Sequence, residues 1–315
     1  MRKKIVIVGS YSAGLFFNGR QIPQSGETVT SDSYFETFGG KGSNQAVAAA
    51  KLGADIKLIC KVGRDRYAEE AVVMYKSLGL YGDGIIRDDK ANTSVGAVLV
   101  DEKGNNAISI YLGANKNLTA KEVTDKLHAE AEKPFLVGFQ LENDPAMVVD
   151  CIKACWEMGI DTLLDPAPAA PLPMWVYPCL TYIKPNEHEA AALSGIPIAT
   201  VEDAFSAGRW FLEAGVKTVI ITLGEQGTVC LTDDREMYFS TVPVKTVDTT
   251  GAGDVFSGSF MKALAEEMEL EEAVIYASCA ASLSVTKQGV TESVPTPGEV
   301  WDLFLKQQKI KETKL

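Results

Sequence analysis

The strongest constraint on the fold is a series of short, continuously apolar segments that alternate with helical patterns. Ile5–Val8 and Thr218–Thr222 are rich in β-branched residues and lack polar alternation, which is typical of strands buried on both faces of a parallel sheet. The other predicted strands are Ile56–Cys60, Phe135–Phe139, Thr162–Leu164 and Tyr182–Lys184. The predicted helices are Ser43–Leu52, Ala68–Leu78, Pro145–Met158, Asn186–Ser194, Val201–Ala214, Asp254–Glu267, Leu270–Val285 and Pro297–Gln307. The sequence therefore predicts an α/β fold whose parallel sheet is covered by helices on both faces.

Two segments interrupt this alternation. Residues 13–38 and 92–112 contain β-type runs, and neither segment contains a helical pattern. The runs are Glu27–Phe35, Thr93–Val100 and Ala107–Tyr111, and a turn-rich loop joins the last two as a hairpin. Strands without crossover helices do not join a parallel sheet easily, so we expect a separate, small antiparallel sheet.

The small sheet divides the predicted structure into two parts. We assign residues 1–12, 39–91 and 113–315 to one main α/β domain, and residues 13–38 and 92–112 to a β lid. The lid is rich in apolar residues, which need cover from a ligand, the main domain or a second subunit. They include Leu15, Phe16, Phe17, Tyr34, Phe35 and Phe38.

The net charge argues against several classes of partner. Lys and Arg total 30 against 42 Asp and Glu, which gives a formal charge of −12. Such a surface repels phosphate backbones and anionic lipids, so we expect neither a nucleic-acid nor a membrane partner. The chain has only two histidines, His128 and His188. A His-rich metal centre is therefore ruled out, and a Ser-His-Asp hydrolase is disfavoured.

The cysteines and the N-terminus indicate the compartment. The six cysteines include no CxxC pair and no zinc-type cluster, and free thiols favour a reducing cytoplasm. Cys151 and Cys155 lie one helical turn apart, which is compatible with a redox sensor, although both fit small apolar positions. The basic and apolar N-terminus resembles a secretory signal, but the apolar run Ile5–Val8 ends at Gly9 and predicts a buried strand instead. No apolar segment is long enough to predict a membrane span.

The first chemical motif is Asp248–Asp254, with the sequence DTTGAGD, which precedes a helical pattern. Small residues at a helix start allow close approach to the backbone, and the first-turn N–H groups attract an anion. We interpret Asp254 as a general base on a substrate hydroxyl. The amides of Gly251, Ala252 and Gly253 would then hold a transferring phosphoryl group. The alternative is that Asp254 only caps the helix.

The second motif is the glycine-rich turn at 39–46, GGKGSNQA, which also opens a helix. It is not a GxxxxGK[ST] loop, and no GxGxxG follows the first strand, so neither a P-loop nor a Rossmann dinucleotide site is predicted. Its backbone amides, Lys41 and Asn44 would suit a polyhydroxylated ligand. The alternative is a purely structural turn.

Together the two motifs resemble the two signatures of the PfkB carbohydrate kinase family, and specifically its ribokinase branch. The matching segments are 39–63 and 248–260. Further landmarks follow in order: DPAPA at 165–169, KPNEHEA at 184–190, ITLGEQG at 221–227 and SVTKQG at 284–289. Ser259 stands where the second signature usually has Gly or Ala, but it is also small. The resemblance therefore covers nearly the whole chain.

The resemblance implies a ribokinase-like three-layer fold and ATP-dependent phosphorylation of a sugar hydroxymethyl group under a closing lid. By position, Asp254 matches the general base, and Gly251, Ala252 and Gly253 match the anion hole. The positions that match sugar-binding residues are Ser12, Gly14, Gly39, Gly40, Lys41, Asn44 and Glu142. Those that match nucleotide-binding residues are Asn186, Glu189, Thr222, Gly224 and Gly227. Asn186 and Glu189 form an NxxE element that organises Mg²⁺ through water; the alternative for Glu189 is a solvated helix residue.

The resemblance also implies a monovalent cation, K⁺, beside the anion hole. The matching positions are Asp248, Thr250, Ser284, Lys287, Gly289 and Ser293. Lys287 fits only through its carbonyl oxygen, because its ammonium group is a donor. Related kinases further imply a homodimer formed through the lid.

One departure from the family pattern concerns the sugar. Ribokinases carry Asn-x-Asp just after the first strand, whereas this chain has Ser12-Ala13-Gly14. A site built to pair hydroxyl groups discriminates strongly, so the change predicts an altered substrate. Gly14 leaves space and no acceptor, which makes a bulkier, deoxygenated or differently configured substrate plausible. Catalysis should survive, because Asp254 and its loop are intact.

Three functions remain open at this point. The first is a kinase for ribose or another monosaccharide, and the second is a kinase for a nucleoside or other substrate of the same family. The third is a catalytically silent sugar-binding regulator. The intact GAGD sequence at 251–254 argues against the third.

Overall fold

The buried apolar strands form one large sheet. The computed structural model describes residues 3–80 and 82–313, with side chains up to residue 307; residues 1–2, 81 and 314–315 of the predicted main domain lie outside the described residues. The strands are β1 (Ile5–Val8), β2 (Ser12–Gly19), β3 (Ser31–Gly39), β4 (Ile56–Val62), β5 (Ile85–Arg87), β6 (Ser94–Val100), β7 (Asn106–Tyr111), β8 (Leu136–Gln140), β9 (Asp161–Asp165), β10 (Tyr182–Ile183), β11 (Thr218–Thr222), β12 (Thr228–Thr232) and β13 (Glu236–Phe239). The large sheet has the order β13-β12-β11-β10-β9-β8-β1-β4-β5.

Most neighbours in the large sheet run parallel, which confirms the predicted fold class. Ile5 of β1 is paired with Ile56 on one side and Leu136 on the other, both in parallel strands. The exception is the edge hairpin, where β12 is antiparallel to both β11 and β13. This hairpin was not predicted, because β13 is short and exposes alternate residues at the edge of the sheet.

Helices cover both faces of this sheet, as predicted. They are α1 (Lys41–Lys51), α2 (Arg66–Ser77), α3 (Ala120–His128), α4 (Pro145–Glu157), α5 (Glu187–Ser194), α6 (Val201–Glu213), α7 (Ala252–Ala265), α8 (Leu270–Ser284) and α9 (Pro297–Thr313). Ile5 and Ile7 of β1 pack into a core with α1, α7 and α8, whereas Val6 and Val8 pack into a second core with α4 and α6. Because successive strand side chains point to opposite faces, the result is a three-layer structure. Helix α3 was not predicted, although Thr119 and Glu122 form its capping box.

The second sheet has the order β3-β2-β6-β7. The pairs β2–β3 and β6–β7 are antiparallel, but β2 and β6 are parallel, so the expectation of a wholly antiparallel sheet is wrong. The reason is that β2 and β6 follow β1 and β5, two parallel strands of the large sheet, and leave it in the same direction. The predicted strand Glu27–Phe35 also begins later, at Ser31.

The cysteines occupy apolar positions. Cys151 and Cys155 are fully buried on α4, and burial raises the pKa of both thiols to about 12. A thiol with so high a pKa is mostly uncharged at neutral pH, which disfavours a redox role. Cys179 is only partly buried. No helix among the described residues has the length and apolar character needed to cross a bilayer.

Candidate active site

Asp254 lies in the first turn of α7, and its side chain is almost completely buried. Gly251 is the N-cap of this helix, so the alternative that Asp254 caps it is wrong. Gly251 has a φ of 76°, and a Cβ there would lie 2.6 Å from a methyl carbon of Val290. Only glycine fits this left-handed, crowded turn. Because the helix begins directly after it, Asp254 lies beside the backbone N–H groups of the first turn of α7.

The Asp254 carboxyl is held by two amides from α1. Asn44 donates to Oδ2 at 2.8 Å, and Gln45 donates to Oδ1 at 3.3 Å. Burial raises the pKa of Asp254 to about 6, while nearby Lys41 lowers it and Asp165 raises it further. The group is therefore mostly ionised at neutral pH and is a stronger proton acceptor than an ordinary aspartate.

The start of α1 is packed against the end of β1. A Cβ on Gly42 would lie 2.5 Å from Gly9 Cα, so two backbones are in direct contact here. Glu142, which follows β8, accepts from the Lys41 N–H at 2.8 Å and from the Ser10 hydroxyl. The glycine turn thus brings the predicted residues Lys41, Asn44 and Glu142 to one corner of the site.

Several carboxylates surround the Lys41 side chain. Burial lowers its pKa, but the carboxylates outweigh burial and raise the pKa above its ordinary value. They belong to Asp254, Asp165, Glu142 and Glu189. Lys41 is therefore a permanent positive charge beside the candidate base.

A polar network beneath Asp254 was not assigned any role from the sequence. Asp165 ends β9 and Lys184 follows β10, and their charged groups are 2.9 Å apart with side chains only 2% and 4% exposed. Gln45 and Ser257 also donate to Asp165. The available signal was the position of a charged residue at the carboxyl end of each of two neighbouring parallel strands, where ligands of α/β proteins bind.

Asn186 and Glu189, which are predicted to bind the nucleotide, form a capping box at the start of α5. The Asn186 N–H donates to the Glu189 carboxyl, and the Asn186 side chain accepts from the Glu189 N–H, both at 2.8 Å. Burial raises the pKa of Glu189. Glu189 is therefore half-buried and hydrogen-bonded, and the alternative of a solvated helix residue is wrong.

One cavity of about 800 Å³ joins these groups. It is large enough for a nucleotide-sized ligand. The predicted residues that line it are Lys41, Asn186, Glu189, Thr222, Gly224, Gly227, Gly251, Ala252, Gly253 and Asp254. The segment from Phe239 to Thr246 and residues of α8 form further walls that the sequence analysis missed. Their lining residues are apolar residues, Ser and Thr, and none of them is charged, so nothing in their sequence marked them.

Six predicted sugar-site residues do not line this cavity: Ser12, Gly14, Gly39, Gly40, Asn44 and Glu142. Ser12 lies opposite Gly39 in the small sheet, and its hydroxyl accepts from Ser94 at 3.1 Å. Gly40 has a φ of 91°, and a Cβ there would lie 2.8 Å from the Ser10 carbonyl oxygen. These residues form the connection between the small sheet and the glycine turn.

The expected open space at Gly14 is not there. A Cβ on Gly14 would lie 2.9 Å from the Thr37 methyl carbon and 3.1 Å from the Phe16 ring. The surface at this point of β2 is therefore filled by apolar groups of neighbouring residues. The expectation of free room is wrong, because a glycine in a strand lets its same-face neighbours close over it.

Direct contacts join only some of the residues of the predicted cation site. Asp248 accepts from the Thr250 N–H at 2.9 Å and from the Gly289 N–H at 3.1 Å. The Ser284 carbonyl accepts from the Lys287 N–H, whereas the Lys287 ammonium group faces Glu299 and the Ser293 hydroxyl donates to Val290. The described residues hold no group of three His, Cys, Asp or Glu side chains suited to a metal. A cation here would need carbonyl and hydroxyl oxygens.

Comparison with known proteins decides the family. The model of the pfkB family carbohydrate kinase matches residues 2–297. The chain belongs to this family. It is 37% identical over 303 residues to the ribokinase of Bacillus subtilis, covering 96% of this chain and 99% of that protein. It is 33% identical over 293 residues to the deoxyribokinase of Salmonella typhimurium, covering 93% and 95%.

Further similarities place the chain in the ribokinase branch. It is 35% identical over 311 residues to a bifunctional ribokinase/ribose-5-phosphate isomerase A of Fructilactobacillus sanfranciscensis, of which it spans 57%. The structure of Arabidopsis thaliana ribokinase complexed with ribose and ATP superimposes with a TM-score of 0.90 at 28% identity, covering 96% of this chain and 99% of that one. The Thermotoga maritima ribokinase gives 0.87 at 35% identity, covering 96% and 99%. This PfkB protein is therefore an ATP-dependent carbohydrate kinase with a ribokinase-like fold.

Proposed function

We propose that this kinase transfers the γ-phosphoryl group of ATP to a primary hydroxyl of a small sugar, with Asp254 as general base. The observation that carries the proposal is the position of Asp254. Its carboxyl is buried in the wall of the cavity at the start of α7, next to the Gly253 backbone and the Lys41 charge. A proton acceptor and an anion-attracting helix start thus lie side by side.

The proton-transfer step uses groups that are already oriented. Asn44 and Gln45 donate to different oxygens of Asp254, so the carboxylate cannot rotate freely. A sugar hydroxyl within hydrogen-bond reach would lose its proton to this carboxylate as its oxygen attacks phosphorus. The closing of the small sheet over the sugar would exclude water, which otherwise competes as acceptor.

The charge on the transferring group would be stabilised by the first turn of α7. The N–H of Ala252 donates to the Thr249 carbonyl at 3.2 Å, so it would have to exchange that partner for a phosphoryl oxygen. Helix geometry leaves the Gly253 N–H without an intrahelical acceptor. The Lys41 ammonium group adds a positive charge from α1, and both effects act on charge in the transition state.

Magnesium fits the oxygen donors of the NxxE element. Glu189 lines the cavity, and its carboxylate would bind the ion through water together with the Asn186 side-chain oxygen. Oxygen ligands and retained waters are what Mg²⁺ prefers. When bound, it would neutralise charge on the phosphate oxygens.

A monovalent cation, K⁺, fits the turn at Asp248, whose carboxylate accepts from the Gly289 N–H. The Asp248 carboxylate and the backbone carbonyls of this turn supply oxygen donors, and the turn lies directly against the start of α7. The other residues proposed to hold this ion are Thr250, Ser284, Lys287 and Ser293. Such an ion would steady the anion hole by its charge.

For the sugar, ribose and 2-deoxyribose are the two candidates. Relatives of both kinds cover more than nine-tenths of the chain. Ser12 and Gly14 replace the Asn-x-Asp pair, and apolar groups of Thr37 and Phe16 fill the place beside Gly14. An apolar contact of this kind favours a sugar that lacks a hydroxyl group, so 2-deoxyribose is the second candidate function.

The small sheet is proposed as the lid and as the dimer interface. Phe35, Ile108 and Ile110 are exposed, and the strand register places all three on one face of this sheet. Exposed apolar side chains that share one face are typical of a protein–protein contact. A second copy of the chain would cover it.

The proposal is tested by measuring ADP release with a panel of pentoses, deoxypentoses, hexoses and nucleosides, with and without K⁺. We expect acceptor-dependent release with ribose or 2-deoxyribose, stimulated by K⁺. Release with nucleosides alone would favour the nucleoside-kinase alternative. The absence of release with every acceptor would instead favour a silent regulator.

A further inference from the structure

The buried ion pair of Asp165 and Lys184 lies directly under the candidate base. Asp165 ends β9 and Lys184 follows β10, and the Lys184 N–H donates to the Leu164 carbonyl at 2.8 Å. The charged groups meet at 2.9 Å, and both residues line the cavity. Two charges withdrawn from water in this way need a role or a close set of partners to offset their desolvation.

One carboxylate oxygen of Asp165 makes all the polar contacts of its side chain. Its Oδ2 accepts from Lys184, from Gln45 at 2.9 Å and from the Ser257 hydroxyl at 3.0 Å. Its Oδ1 is buried and has no hydrogen-bond partner among the described residues. All of its contacts in this structure therefore tie α1 and α7 to the ends of β9 and β10.

Gln45 connects this oxygen to Asp254. Its Nε2 bridges Asp165 Oδ2 at 2.9 Å and Asp254 Oδ1 at 3.3 Å. Its Oε1 accepts from Gln140 at 2.7 Å, which fixes the direction of the amide. A change at Asp165 would therefore reach Asp254 through one side chain.

Lys184 reaches the same helix from the other side. Its ammonium group donates to the Gly253 carbonyl at 3.2 Å, one residue before Asp254. A Cβ on Gly253 would lie 3.4 Å from this nitrogen, so the contact is close. The pair thus holds both the backbone and the side-chain partner of the candidate base.

We propose that Asp165 and Lys184 are positioning residues that hold Gln45 and the first turn of α7, and that they place Asp254 between two opposite charges. The inference deepens the proposed function and rests on it, because it takes Asp254 as the base. Neither residue of the pair touches the reacting atoms in this account.

The charges that face Asp254 come from three sides. Lys41 on α1 and Lys184 after β10 lower its pKa, and Asp165 at the end of β9 raises it. Glu142 and Glu189 lie around Lys41 and raise its pKa. Removing one member of the pair leaves the other uncompensated, so the two removals should act in opposite directions.

The test is the pH dependence of kcat/KM for the sugar at saturating Mg-ATP, in the full-length protein. Asp165→Asn leaves the Lys184 charge unpaired and should move the acidic limb down by about one pH unit. Lys184→Met leaves the Asp165 charge unpaired and should move it up by about one pH unit. Lys184→Arg and the double variant D165N/K184M should both lie close to the wild type.

The control is Lys262→Met. It also removes a buried ammonium group, but this one lies on α7 and is paired with Glu266. It should lower stability without moving the limb. Shifts in the same direction, or no shift, in the two single variants would overturn the inference. If either variant does not fold, Ser257→Ala is used, because it removes a hydroxyl that lies 3.0 Å from both Asp165 Oδ2 and the Gly253 carbonyl oxygen but removes no charge. It should move the limb up by a smaller amount, and an unchanged limb overturns the inference.

The two failures can be told apart. If Asp254→Asn keeps wild-type activity, the base assignment and the proposed function fail together. If Asp254→Asn is inactive while the single variants do not shift in opposite directions, only the role of Asp165 and Lys184 fails.

Discussion

The site around Asp254 and the small sheet are built in opposite ways. Around Asp254, charged and amide side chains from distant parts of the chain are buried and bonded to one another, as in the contacts of Gln45 with Asp165 and Asp254. In the small sheet, strand residues such as Tyr34 and Ile110 are 50% and 59% exposed. Under the proposed function, proton transfer would therefore depend on a buried, pre-organised site, whereas sugar choice would depend on a small sheet with exposed strands.

The largest effect is expected at the rigid site. Asp254→Asn keeps the shape but removes the proton acceptor, so kcat should fall about 10³-fold. ATP binding, measured by calorimetry, should be retained, because the cavity walls are unchanged. Asp302→Asn, an exposed change on α9, is the matched control. Wild-type turnover in Asp254→Asn would remove the base role.

The same substitution has a consequence for stability, and its sign can be worked out. Burial raises the Asp254 pKa to about 6, so the folded state holds this proton more tightly than the unfolded chain does. The charged carboxylate therefore destabilises the fold as pH rises from about 4 to about 6. The free energy of unfolding of Asp254→Asn should rise relative to the wild type over this range, as measured by urea denaturation.

The second effect tests the backbone contact under the glycine turn. Gly42→Ala places a methyl group 2.5 Å from Gly9 Cα, where no side chain can move aside. We expect the free energy of unfolding to fall by about 2–3 kcal/mol, measured by denaturant midpoint. Gly298→Ala, on α9 with nothing within 4 Å, should be unchanged or slightly more stable. Equal stability of the two variants would show that the contact is not close.

These two regions also differ in how far the sequence predicts them. The glycine turns and GAGD are local patterns, and the structure brings Asn44, Lys41 and Glu142 together near Asp254 as expected. From the sequence, Asp165 and Lys184 are only parts of two segments that resemble the family. Their ion pair was not predicted, because its contacts join residues that are remote in sequence. The parallel pairing of β2 with β6 depends on where both strands leave the large sheet, which no local pattern records.

The third effect tests the small sheet as the selector of the sugar. Introducing Ser12→Asn and Gly14→Asp with Thr37→Ser, which removes the methyl group that crowds Gly14, adds hydrogen-bonding groups. We expect the ratio of kcat/KM for ribose to that for 2-deoxyribose to rise about tenfold or more. Thr37→Ser alone is the control and should leave the ratio unchanged. An unchanged ratio in the triple variant would mean that this strand does not choose the sugar.

The smallest effect is expected for Ile110→Lys on β7. The side chain is exposed, so the free energy of unfolding of the single chain should change by less than about 0.5 kcal/mol. If a second copy covers the small sheet, sedimentation should show the dimer weakened. Leu305→Lys, an exposed change on α9, should leave the dimer intact. An unaltered dimer in Ile110→Lys would exclude this face as the interface.

In the proposed function, a buried carboxylate with a raised pKa accepts the sugar proton. This step is tested most directly by the pH dependence of kcat/KM for the sugar in the wild type, at saturating Mg-ATP. The account predicts an acidic limb whose apparent pKa is about 6, the value to which burial raises Asp254. A profile that stays flat down to pH about 4, the range of an ordinary aspartate, would contradict it.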